Sequence, residues 1–147
     1  MLTYLGKKDT LLNEKGRTIP TILLVEDATE NRELLRRWLE RRGYKVVEAA
    51  DGQEALDLAP LANPQLIIMD LRLPKLNGMA VIRRLRRKPL LANIPAIALS
   101  GLNPDLFREA ALAEGFADYL SKPIDLGELE DVLTRFFEPS PLRSTAP

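Results

Sequence analysis

The chain contains no cysteine and no histidine. Without cysteine there is no disulfide scaffold, no thiol nucleophile and no thiolate-bound metal. Without histidine the commonest general base and the commonest metal ligand are missing as well. Chemistry must therefore run on carboxylates, hydroxyls and Lys or Arg, and any metal should be a hard cation held by oxygen. Charge of one sign is also lacking: Lys+Arg and Asp+Glu both number 21, for a net charge of zero. That balance argues against a whole-domain electrostatic grip on nucleic acid or anionic lipid. Long apolar runs are absent too. Lys7, Lys8, Asp9, Glu14, Lys15 and Arg17 interrupt the first twenty residues, so neither a signal peptide nor a membrane span is read there, and the cytoplasm is the default location.

What remains is an ordinary soluble composition, 46% hydrophobic and 29% charged over 147 residues, enough for one domain with a real core. Short apolar runs alternate with longer helical patterns between Thr21 and Phe137. Residues 21–25, 44–49, 66–69, 94–99 and 117–121 read as strands, the first and third as continuous apolar runs suited to burial on both faces. Residues 28–42, 53–59, 79–87, 104–114 and 126–137 read as helices. Gly43 and Gly115 stand where helix C-termini want positive φ, Asn103-Pro104 is a cap with Pro at the first helical position, and Asp125 with Glu128 resembles a capping box. Trp38 shares a stripe with Leu34, Leu35 and Leu39 and is assigned to the core. Five strands and five helices in alternation imply an α/β fold, a doubly wound parallel sheet covered on both faces and joined by right-handed crossovers. The expected organisation is an N-terminal extension (1–20), one domain (21–137) and a Pro-, Ser- and Thr-bearing disordered tail (138–147).

Polar residues collect where these strands end: Glu26 and Asp27 after the first, Asp70 after the third, Ser100 after the fourth, Lys122 after the fifth. Ligands in such sheets sit outside the carboxyl ends, at the switch point of the strand order. With an order of 2-1-3-4-5 the three acids converge, and their mutual repulsion calls for a divalent cation with oxygen ligands, Mg²⁺. Asp70 can then attack a phosphoryl group, with the cation held by Asp27, Asp70 and the backbone carbonyl of Arg72, and Glu26 holding a metal-bound water. Lys122 offers a point charge to one phosphoryl oxygen and Ser100 a hydroxyl to another.

The motifs Ile22-Leu-Leu-Val-Glu-Asp27, Met69-Asp70-Leu-Arg-Leu-Pro74 with Asn77-Gly78, Ala98-Leu-Ser100-Gly101 and Tyr119-Leu-Ser-Lys122-Pro123 together resemble the receiver domains of bacterial response regulators, the flavodoxin-like fold of two-component signalling. The resemblance covers residues 21–137 and is closest to the stand-alone, single-domain type. It implies that Asp70 is the phosphoacceptor and that Glu26 and Asp27 are metal-binding acids. Ser100 becomes the switch hydroxyl, Tyr119 the switch aromatic and Lys122 the phosphate-binding lysine. A cis peptide at Lys122-Pro123 is also implied. The donor would be a histidine kinase or a histidine phosphotransfer protein. The output would be a protein reading the face of the fourth helix, fifth strand and fifth helix, with a phosphorylation-linked homodimer also compatible and no direct nucleic acid or membrane contact. Beyond self-phosphorylation and self-dephosphorylation no enzyme activity is expected.

Three rivals are weaker. A haloacid-dehalogenase phosphatase needs a second acid two residues after the nucleophile, where this chain has Arg72. A degenerate receiver would not keep the whole acid-acid-Asp-Ser-Lys set. A flavodoxin-like nucleotide binder needs a Gly- or Ser/Thr-rich phosphate loop, where this chain has Glu26-Asp27. The basic run Arg83, Arg84, Arg86, Arg87, Lys88, with Arg36, Arg37, Arg41 and Arg42 on the first helix, reads as solvated helix faces rather than a docking patch. Arg72 and Leu102 flank the approach of a hydrolytic water to Asp70 and predict a long-lived phosphoryl group.

Overall fold

A computed structural model describes residues 18–137, together with residues 3, 4, 11, 12 and 16. Its core is a five-stranded parallel sheet of β1 (Thr21–Val25), β2 (Lys45–Ala49), β3 (Leu66–Asp70), β4 (Ala96–Ser100) and β5 (Asp118–Ser121). The helices between and after them are α1 (Thr29–Arg41), α2 (Gly52–Ala62), α3 (Gly78–Leu85), α4 (Pro104–Glu114) and α5 (Leu126–Phe137). The strand order is β2-β1-β3-β4-β5, so the direction of winding reverses between β1 and β3. Outside the sheet, Thr3–Tyr4 and Leu11–Leu12 form a two-residue antiparallel pair that the sequence did not announce. The tail expected to be disordered lies outside the described residues.

The apolar runs are continuous because alternate side chains feed two different cores. Leu23, Val25, Ile67, Met69, Ala96 and Ala98 pack with α2, α3 and α4 on one face. Ile22, Leu24, Leu66, Ile68, Ile97 and Leu99 pack with Leu35 and Leu39 of α1 and Leu129, Val132 and Leu133 of α5 on the other. Each large side chain buried this way contributes about 1.5–3 kcal/mol. The helix ends follow local chemistry. Asp51, Asn77 and Asn103 each accept a backbone N–H in the first turn of α2, α3 and α4. Asp125 does the same for α5 through Glu128 N–H, at 3.1 Å. Gly43 and Gly115 have φ of 94° and 120°, left-handed values that end α1 and α4 at low steric cost.

Several boundaries differ from the sequence reading. α2 continues through Pro60 to Ala62, because a proline near a helix end removes one backbone bond only, and Asn63 in the left-handed conformation then closes the helix. α3 stops at Leu85 rather than Arg87. The Arg86 guanidinium is drawn inward to the carbonyls of Leu91 (3.1 Å), Ile94 (2.6 Å) and Gly115 (2.8 Å), and its burial pushes its pKa below the ordinary arginine value. β4 begins at Ala96, after Pro95, which has no N–H to pair. β2 and β5 each begin one residue later than expected. Trp38 is only partly buried against the second core, with the Arg42 guanidinium 3.9 Å above its ring, and Leu34 is 61% exposed.

Candidate functional site

Strand register brings the strand-end residues together. Val25 pairs with Met69, and Asp70 with Leu99, so the residues following β1 and closing β3 and β4 lie side by side at the carboxyl edge. Asp70 ends β3 and is 4% exposed; Glu26 is 1% exposed and Asp27 is exposed. One carboxylate oxygen from each of Glu26, Asp27 and Asp70 lies within 4.8 Å of the others. Three hard oxygen donors so disposed fit a divalent cation such as Mg²⁺.

Lys122 supplies the balancing charge. Its ammonium donates to Glu26 Oε1 at 2.9 Å and to Asp70 Oδ2. Partial burial by itself would push this lysine's pKa down. The hydrogen bonds and charges of Asp70 and Glu26 outweigh that effect and hold it above the ordinary 10.5. The remaining carboxylate oxygens face backbone: Glu26 Oε2 accepts Ala28 N–H at 3.1 Å, and Asp70 Oδ1 accepts Arg72 N–H at 2.9 Å. Asp27 has neither a hydrogen bond nor an ion pair among the described residues.

Ser100 closes β4 and is fully buried; its Oγ accepts Leu102 N–H at 2.9 Å. Tyr119, 3% exposed, donates its hydroxyl to the carbonyl of the same Leu102 at 3.0 Å. One residue of the β4–α4 loop is thereby tied to both side chains, through the two peptides that flank it. The Lys122-Pro123 peptide is cis. Gly78 explains how tightly the β3–α3 loop is drawn over Asp70: a Cβ there would lie 2.7 Å from the Asp70 carbonyl oxygen.

The strand-end positions nominated from the sequence therefore lie at one place. Sequence reading missed Glu26 as a partner of Lys122. It also missed Arg32, whose guanidinium holds the Glu26 carbonyl at 2.8 Å, and the Arg108–Asp118–Arg135 cluster, where the buried Asp118 receives Arg135 at 2.6 Å and Arg108 at 3.4 Å. An acid inside an otherwise apolar strand was the available signal for Asp118. Beside Lys122 a cavity of about 520 Å³ is lined by Asn31, Leu34, Leu35, Ile124 and Leu126. No described helix is long and apolar enough to cross a membrane.

This arrangement, acids and a lysine at the switch point of a five-stranded sheet, is that of a class of signalling modules. Residues 22–134 match the family model described as the response regulator receiver domain, and the chain belongs to that family. It is 42% identical over 108 residues to an uncharacterized 14.6 kDa protein of Leptolyngbya boryana, covering 74% of this chain and 82% of that one. The receiver domain of the sensor histidine kinase PA1611 from Pseudomonas aeruginosa, solved with a magnesium ion coordinated in its active-site cleft, superposes with TM-score 0.74 at 36% identity, over 80% of this chain and 97% of that one. The Saccharomyces cerevisiae receiver domain of Ssk1, in co-crystals with the histidine phosphotransfer protein Ypd1, superposes with TM-score 0.72 at 29% identity, over 82% and 91%. The chain spans about half the length of the transcriptional regulators it also matches, from 44% to 56%.

Proposed function

We propose that residues 21–137 work as a phosphorylation-dependent switch, with 1–20 as an extension and 138–147 as a tail. Asp70 takes a phosphoryl group from a phosphohistidine on a histidine kinase or phosphotransfer protein. A carboxylate oxygen of Asp70 bonds to phosphorus as the phosphorus–nitrogen bond breaks, and the leaving imidazole takes up a proton. The observation that carries this reading is a buried carboxylate at the sheet's switch point, bonded to an ammonium and within 4.8 Å of two more acids.

Glu26, Asp27, Asp70 and the backbone carbonyl of Arg72 would hold Mg²⁺, which supplies positive charge against the phosphoryl oxygens. Lys122 binds one phosphoryl oxygen and Ser100 donates its hydroxyl to another. A Ser100 drawn toward the phosphoryl group loosens its bond to Leu102 N–H, and the Leu102 carbonyl held by Tyr119 moves with it. Signal then leaves through a protein partner reading α4, β5 and α5, or through a homodimer on that face, in the cytoplasm. Leu34, exposed beside the cavity next to Lys122, offers the donor an apolar seat.

Mass spectrometry after treatment with acetyl phosphate and Mg²⁺ tests the assignment. One phosphoryl group should be added to the wild type and none to Asp70→Asn. Equal labelling of the variant would move the acceptor elsewhere.

A further inference from the structure

From Leu71 to Pro104 the sequence carries seven cations, Arg72, Lys75, Arg83, Arg84, Arg86, Arg87 and Lys88, and no Asp or Glu. In a chain of zero net charge this stretch is locally positive, and whether the charge stays free depends on which acids the fold sets opposite it. The structure sorts the seven. Arg86 is absorbed by backbone carbonyls, Lys75 meets Asp51 at 3.3 Å, and Arg83 forms a bidentate pair with Glu114 of α4 at 3.1 and 2.8 Å. Arg72, Arg84, Arg87 and Lys88 are exposed, and among the described residues their side chains have no hydrogen bond or ion pair. Most arginines of α1 differ: Arg32 meets Glu48, Arg36 meets Glu40 and Glu48 and Arg37 meets Glu33, while Arg42 just beyond the helix meets Glu130; Arg41 alone on α1 has no such partner among the described residues.

Beside one of these unpaired cations, Arg72, runs a groove of about 700 Å³ between α3 and α4. Leu73, Met79, Ala80, Leu102, Phe107 and Ala110 line it, with Arg72 and Arg83 also at its wall. Ala80 on α3 and Ala110 on α4 are small, which keeps the notch between the two helices open. Arg84 follows Arg83 on α3, and Arg87 and Lys88 follow in the turn after the helix, so the cations extend beyond the groove along the chain.

We infer that the α3–α4 groove docks an acidic amphipathic helix of a partner protein. Its apolar side chains, at i, i+3, i+4 and i+7, fill the groove, and its flanking carboxylates meet Arg72, Arg84 and Arg87. The charge selects an acidic partner. The apolar floor selects a protein, because a nucleic-acid backbone could neutralise the cations but would leave Met79, Leu102 and Phe107 facing water. Binding does not depend on Asp70 chemistry. If the switch proposed above operates, Leu102 links the two sites, since its N–H is held by Ser100, its carbonyl by Tyr119, and it lines the groove.

The experiment uses the full chain and a fluorescein-labelled synthetic helix with Leu and Phe on one face and Glu on both flanks, read by anisotropy across a salt series. The helix should bind, and more weakly as salt rises. Arg84→Glu with Arg87→Glu should weaken it at least tenfold. Ala110→Phe, an exposed position that fills the notch, should weaken it similarly without altering the salt dependence. Arg37→Glu on α1 should leave it unchanged, and a helix with Lys replacing Glu should bind at least tenfold more weakly. No binding, equal binding of the Lys helix, insensitivity to Ala110→Phe, or tighter binding of single-stranded DNA or phosphatidylserine vesicles would each overturn the inference. Loss of Asp70 labelling would leave all these results as they stand, so the two readings fail separately.

Discussion

Lys122→Met replaces the one ammonium that separates two buried carboxylates while keeping most of the side chain's volume. In the wild type that ammonium bonds Glu26 and Asp70 together. Once it is gone, the two acids face each other across 4.8 Å or less. At an effective dielectric constant near 20 that repulsion is about 3.5 kcal/mol. The lysine side chain is 24% exposed, so water recovers part of it, and the net loss of stability should be about 2–3 kcal/mol in metal-free buffer at neutral pH. Urea denaturation followed by circular dichroism measures it. Millimolar Mg²⁺ should restore more stability to the variant than it adds to the wild type, because the ammonium and the metal compete for the same oxygens. The pH dependence has a definite sign. A lysine whose pKa is raised on folding stabilises fully below its unfolded value, about 10.4, and loses that contribution as pH climbs through the higher folded value. The gap between wild type and variant should therefore hold from neutrality to about that unfolded value and close only in stronger alkali. A metal-free variant as stable as the wild type would refute the reasoning, since the acids would then tolerate each other unaided.

The wall of the site and its loops give further expectations. Arg72, two residues after Asp70, and Leu102, two residues after Ser100, line the same groove. Changing them together to Asn and Glu should place a group able to orient water there and shorten the phosphoryl half-life about tenfold, equivalent to ~1.4 kcal/mol of barrier, read from decay in Mg²⁺; decay no faster than wild type would show that shielding does not set the lifetime. Gly52→Ala should cost about 1–3 kcal/mol in a urea melt, because its Cβ would lie 2.2 Å from the Leu76 carbonyl oxygen. Gly101→Ala, where a Cβ meets nothing within 4 Å, should stay within about 0.5 kcal/mol of wild type. Asp27→Ala should lose Mg²⁺-dependent labelling by acetyl phosphate; labelling in EDTA equal to that in Mg²⁺ would remove Asp27 from the metal site.

Much of the architecture was legible before any coordinates. Runs such as Leu66–Asp70 are apolar on both faces only in a covered parallel sheet, and acids, a serine and a lysine at successive strand ends point to one edge. Cap residues such as Asn103 and Asp125 act within a few positions of themselves, so local sequence determined them as well. Distances between strands were decided elsewhere. Lys122 reaches Glu26 across 96 positions because the register of β1, β3, β4 and β5 carries both to the same edge. The same holds for which arginines stay unpaired. Arg83 and Arg84 are neighbours with identical side chains, yet α4 brings Glu114 to one and nothing to the other. Trp38, on the apolar stripe of α1, remained only partly buried, which depends on what the fold packs against that helix. Periodicity and capping are properties of a segment and can be read along the chain, whereas pairing of charges depends on what the fold sets opposite each one.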